Sequence, residues 1–320
     1  MISKFTLDNG IRVVSESIPH AHSVSIGIWV SNGSRHERRE SGGIAHLIEH
    51  MLFKGTQRRS SLDISREIDS VGGVLNAFTS REYVCYYAKV LHKFLPQALD
   101  LLADIFLNAV IADEDLEKER NVILQELGML EDTPDDVIHD LFCRNFWMDH
   151  PMGRSILGTE ESVSSITREA ALAFKRDSYR GENIIISVAG KIDQVDLQKL
   201  IPPYFRDVPG GSAEKCLPVT GYRRASELLE RELEQVHLCF GMPALPQAHP
   251  QRFAGFLLNT ILGGGMSSRL FQEIREKQGL AYSVYSYLSA YSDTASMVIY
   301  AGTGEERVME VLDIIFRELR

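Results

Sequence analysis

The sequence predicts an α+β fold in two related halves, each a mainly antiparallel sheet covered by helices. Three observations lead there. Stretches with apolar residues at every second position take turns with stretches of helical period along the whole chain. The order helix, glycine break, strand pair, met first between residues 63 and 90, returns in the second half. Between the halves, residues 202–222 turn to Pro, Gly and isolated polar residues, including Pro209-Gly210-Gly211-Ser212. Residues 1–210 therefore read as one domain, 211–222 as a linker and 223–320 as a second, related domain. A chain of 320 residues suits two domains of ordinary size.

The elements follow in order. Residues 5–7 and 11–15 flank Asp8-Asn9-Gly10 and read as a hairpin. Alternating Val24, Ile26, Ile28 and Val30 make a strand of 23–31. Residues 43–53 are helical and apolar nearly all round, and a second helix over 61–71 is broken by Gly72-Gly73. Strands cover 74–79 and 83–90, and helices cover 95–109 and 114–131, with Pro134 opening another that runs to Trp147. Then come a helix at 165–179, a strand at 183–189 and a helix at 195–204. In the second half, a strand over 235–241 precedes helices at 251–262 and 267–277. Strands at 282–290 and 295–301 follow, and then a helix at 305–320. On this reading the second half is incomplete, about half the size of the first.

Composition bounds the function. The hydrophobic share of 44% is ample for a core, and a net charge of -10 disfavours nucleic acid as a partner. Four scattered cysteines, without a CxxC pair, fit a reducing compartment and argue against sulfur ligation of a metal. No stretch reaches eighteen uninterrupted apolar residues, and the N-terminus has no apolar leader region; the expectation is a cytoplasmic chain without a membrane span.

His46-Leu47-Ile48-Glu49-His50 carries the chemistry. Its neighbours Ile44, Ala45, Leu47, Ile48, Met51, Leu52 and Phe53 mark an interior helix, and only His46, Glu49 and His50 break the pattern. Spacings of three and four put those three on one face, where burial without a partner is costly. Two imidazoles one turn apart can grip a divalent ion, and the acid between them can take a proton from water. His-x-x-Glu-His is the inverted zinc-peptidase pattern; a satisfied buried histidine pair is the alternative.

A catalytic zinc needs a third protein ligand. In the helix at 114–131, Glu119 and Glu126 lie two turns apart on nearly one line, beside a stripe formed by Leu116, Val122, Ile123, Leu127 and Leu130. Spacing alone also allows both to belong to a solvated acidic face with Glu114, Glu117 and Glu131. Gly263-Gly264-Gly265 lacks the Gly-Lys-Ser/Thr of a phosphate loop and reads as a flexible loop.

These motifs together resemble the pitrilysin/insulinase family of zinc peptidases, in the branch of the mitochondrial processing peptidase β subunit and its bacterial relatives. The resemblance rests on 42–56 around the motif, on Asn76-Ala77-Phe78-Thr79 with Glu82, on Glu119 and Glu126, and on 262–275 with Tyr282. It implies one zinc per chain, held by His46, His50 and Glu126, with Glu49 as the general base. It implies that Glu119 steers a ligand or the water, and that Asn76, Ala77 and Phe78 hold extended substrate by strand addition. Glu82 is either a supporting carboxylate or a surface residue. Arg275 and Tyr282 would serve the substrate, Tyr282 by hydrogen-bonding an oxyanion; otherwise they are a surface charge and a strand aromatic. The implied partner is a peptide or unfolded protein, and the implied assembly a homodimer or heterodimer. The expected activity is endopeptidase; the other reading is a non-catalytic peptide-binding subunit, a class that usually lacks part of this residue set.

Overall fold

The computed structural model describes residues 2–212 and 216–320, with Gln194 described by its backbone. The chain divides into two compact units, one made of 1–127 with 154–216 and the other of 128–153 with 217–320.

The first unit is built on a six-stranded sheet. Its strands are β1 (Ile2–Thr6), β2 (Arg12–Ser17), β3 (Ser23–Val30), β4 (Val74–Thr79), β5 (Val84–Leu91) and β6 (Ile184–Gly190). The spatial order is β1-β2-β6-β3-β5-β4. All pairs are antiparallel except β2 with β6, which run parallel. In β3 the predicted alternation is observed: Val24, Ile26, Ile28 and Val30 are buried, while Trp29 points to the other face and donates from Nε1 to Ser187 Oγ at 2.8 Å. The buried face meets the helices, which supply Leu47, Ile48, Met51, Leu52, Leu99, Leu102, Ile105 and Phe106 to one continuous core.

The helices up to residue 205 are α1 (Ile44–Leu52), α2 (Ser61–Ser70), α3 (Leu95–Asn108), α4 (Asp113–Glu131), α5 (Pro134–Phe146), α6 (Glu160–Ser165), α7 (Arg168–Ser178), α8 (Gln194–Leu200) and α9 (Pro202–Phe205), all but α5 starting in the first unit. The helix expected over 165–179 is α7, which starts only at Arg168, and a short helix that was not expected, α6, precedes it across a break. Ile166 is extended, and Thr167 caps α7 by accepting from the Ala170 N–H. Likewise Pro202 and Pro203 end α8 and open α9 within the stretch expected as one helix.

α5 packs with the second unit, unlike the contiguous 1–210 segment expected from composition. The cause is visible side by side. α5 lies against β7 (Val236–Pro243), whose Gly241 leaves room for the Phe142 ring; a Cβ there would meet that ring at 2.1 Å. The last residue of the segment expected as a linker, Tyr222, and the residues that follow it run along α5 as well. Tyr222 stacks on Phe146 with ring centroids 5.5 Å apart, the Arg223 N–H donates to Phe146 O, and Glu227 pairs with Arg144.

The second unit contains α10 (Arg252–Gly263), β8 (Ala281–Ala290), β9 (Ala295–Thr303) and α11 (Val308–Glu318). Its antiparallel sheet has the order β7-β9-β8, and all nine residues of β9 are buried. The helix expected over 267–277 is instead a short π-helical turn, Phe271–Glu276. Among the described residues no helix is long and apolar enough to cross a membrane.

Candidate metal centre

α1 is held at its N-terminus before any metal is considered. Gly43 caps it with φ +89°, and a Cβ there would meet Leu157 O at 2.5 Å, so only glycine fits. The buried Glu37 carboxylate accepts from the Gly43 N–H at 2.8 Å and from the Ala45 N–H at 2.9 Å. It thereby satisfies donors that a helix start leaves unpaired. Burial pushes the Glu37 carboxyl up to about 8 in spite of those two bonds. Ile44, Ala45, Leu47, Ile48, Met51 and Leu52 are all buried, which leaves one helix face for His46, Glu49 and His50.

That face meets α4. His46 Nε2 and His50 Nε2 each lie 3.8 Å from a different oxygen of Glu126, beyond hydrogen-bond reach. One donor atom from each residue can be chosen so that all three lie within 4.8 Å of one another. Donors about 2.1 Å from one tetrahedral ion sit about 3.4 Å apart, so the gap matches an ion-sized opening with slight slack. Burial, and then the neighbouring His50, hold His46 down at about 4, so its imidazole is neutral at pH 7 and able to ligate. Among the described residues, none offers a hydrogen-bond partner to the buried His46 Nδ1. His50 is steered from behind: its Nδ1 lies 3.0 Å from Glu119 Oε2, and Lys54 Nζ lies 2.6 Å from Glu119 Oε1. A carboxylate accepts here, so Nδ1 carries the proton and Nε2 presents its lone pair. The residues fit a zinc ion.

Glu49 faces the same opening. Burial, against the bond from Thr79, raises its carboxyl above the usual range, with the negative Glu126 adding to the rise. The Thr79 hydroxyl donates to Glu49 Oε2. Sequence reasoning placed Thr79 in a family motif but not in the site, and gave Lys54 no role. Their partners are 30 residues away for Thr79 and on a different helix, α4, for Lys54, so no local spacing signals either.

Thr79 ends β4, which is the edge strand of its sheet, as strand addition requires. The Asn76 side chain accepts from the Ala77 N–H at 2.8 Å, Ala77 is buried, and Phe78 is exposed on the opposite face. There Phe78 joins Trp29, Tyr83 and Tyr87, with centroids 5.8, 6.1 and 6.3 Å from its own. Glu82 lies outside the metal cluster; it pairs with the buried Arg35 at 2.7 Å. Arg275 and Tyr282 belong to the second unit. The π-helical turn and β8 bring the Arg275 guanidinium to 4.8 Å from the Phe271 ring and 4.8 Å from the Tyr282 ring. The pair lines a cavity of about 350 Å³ with Gly263, Gly264 and Gly265.

A six-stranded α+β unit with His46, Glu49 and His50 on its first helix and Glu126 facing them from α4 is the architecture of an insulinase-type peptidase. Residues 12–160 match the model of the insulinase family, peptidase family M16, and residues 165–320 match that of the M16 inactive domain. An uncharacterized zinc protease, YmxG of Bacillus subtilis, is 43% identical over 98% of this chain and 77% of its own length. One from Streptomyces coelicolor is also 43% identical, over 99% of this chain and 71% of its own. The chain belongs to the insulinase (M16) peptidase family. Its fold is that of a protease from Helicobacter pylori, with a TM-score of 0.90 at 22% identity over 98% of this chain and 79% of that one. A solved M16 inactive domain from Pseudomonas fluorescens gives a TM-score of 0.94 at 20% identity, over 99% of this chain and 78% of that one.

Proposed function

We propose that this chain is a zinc-dependent endopeptidase that hydrolyses extended or unfolded peptides laid along β4. The observation that carries the reading is the convergence of His46, His50 and Glu126 on one ion-sized opening, with Glu49 on the same helix face. His46 Nε2, His50 Nε2 and a Glu126 oxygen are the donors. Zinc bound there supplies a Lewis acid for the scissile carbonyl and makes a nearby water more acidic. Glu49 takes the proton of the attacking water and passes it to the leaving amine, a task suited to a carboxyl raised by burial. Thr79 occupies Oε2, so Oε1 is the oxygen that exchanges the proton. The backbone of β4 pairs with the substrate main chain, and the exposed Phe78 offers an apolar contact to a side chain.

A non-catalytic peptide-binding subunit is the weaker reading, because the base and all three donors are intact. The names of the relatives as zinc proteases point the same way. The test is metal analysis together with cleavage of an unstructured peptide. Glu49→Gln is expected to keep about one zinc and lose hydrolysis, whereas His50→Ala loses both. Loss of zinc from Glu49→Gln as complete as from His50→Ala would overturn the division between base and ligand.

A further inference from the structure

We propose that Lys54 is a positioning residue of the metal centre, acting on His50 through Glu119. The inference rests on the reading of His50 as a zinc ligand. Lys54 follows the C-terminus of α1, four residues after His50, so both side chains reach one carboxylate on α4. Glu119 is 6% exposed and has one bond on each oxygen, to Lys54 Nζ at 2.6 Å and to His50 Nδ1 at 3.0 Å. A carboxylate taken that far from water needs a counter-charge to stay in place. The ammonium supplies it, and its short contact fixes Oε1. Oε2 is thereby aimed at Nδ1, which sets the ring rotation and keeps the lone pair on Nε2. Without the ammonium, Glu119 keeps one neutral partner and is free to turn toward solvent, and the ring loses its orientation. Lys54 itself is one-third exposed, so shortening it opens no void in the core.

The experiment is zinc affinity, measured by competition with a chromophoric chelator, on the full chain and five variants. Lys54→Met is expected to weaken zinc binding by about tenfold and Glu119→Gln by about ten- to a hundredfold. The double variant should bind no more weakly than Glu119→Gln alone, because Lys54 has no route to the metal except through that carboxylate. Lys54→Arg should recover most of the loss by restoring the counter-charge. The imidazole nitrogen spectrum of His50 in the metal-free chain should show protonated Nδ1 in the parent and a mixture of tautomers in Lys54→Met. Parental affinity in Lys54→Met, or losses that multiply in the double variant, would overturn the proposal while leaving the zinc centre standing. A parent chain that binds no zinc, or binds it equally well after His46→Ala, would sink both.

Discussion

Glu119 and Glu126 stand seven residues apart on α4, and spacing alone ranked neither above the acidic residues around them; only the resemblance singled them out. Spacing gives an angle about the helix, not what faces it. The structure separates them: Glu119 is buried against His50 and Lys54, while the Glu126 side chain stays 37% exposed at the opening. The three residues on α1 were legible because an apolar helix makes any ionisable group conspicuous. Glu37, Lys54 and Thr79 were not, since each acts on a residue brought near only by folding. The folded state holds His46 neutral, at about 4 against an ordinary value of 6.5. The unfolded chain therefore binds the extra proton first. The stability this contributes is complete above pH 6.5 and is lost as pH falls through 4. Metal-free parent and His46→Gln chains, unfolded in urea across that window, should differ in pH slope, with on the order of 2–3 kcal/mol at stake. Parallel profiles would show that His46 is not held neutral by burial. Thr79→Val should lower turnover about tenfold without loss of zinc, given about 1.5–3 kcal/mol for a hydrogen bond to a charged group, and Thr79→Ser should restore it. Loss of zinc in Thr79→Val would place Thr79 among the supports of the metal instead.

At the scale of elements, the strand pattern was readable because period two puts every second residue on the core face, and in β3 Val24, Ile26, Ile28 and Val30 are all buried there. What composition could not convey was which sheet a helix joins. α5 has an ordinary amphipathic sequence opened by Pro134, and nothing within it says that its partner is β7, roughly a hundred residues on. The partnership leaves one local trace, Gly241 in the middle of a strand, a position where glycine usually marks a close approach. Gly241→Ala should therefore push against the Phe142 ring and destabilise the second unit by about 1–3 kcal/mol, as overpacking does. Adding Phe142→Leu should recover part of that loss, since the two residues share one contact. Additive losses in the double variant would mean that the glycine serves the backbone of β7 and not the ring of α5.

For the whole molecule, the consequence of the two-unit build is an uneven response to metal. All three proposed donors and the proposed base lie in the first unit, on α1 and α4, and the nearest supports come from α4 and β4. A ligand that binds only the folded state adds RT ln(1 + [L]/Kd), about 2.7 kcal/mol at a hundredfold excess over Kd. The direct share of that stabilisation falls on the elements that hold the ion. Hydrogen exchange should then show α1, β4 and the Glu119–Glu126 stretch of α4 losing protection when zinc is chelated. β9, buried along its whole length in a separate sheet, should exchange at an unchanged rate. Equal loss of protection in β9 would mean that the metal stabilises both units through a shared unfolding step. No change in α1 would mean that its apolar face and the Glu37 cap hold the helix without help from the ion.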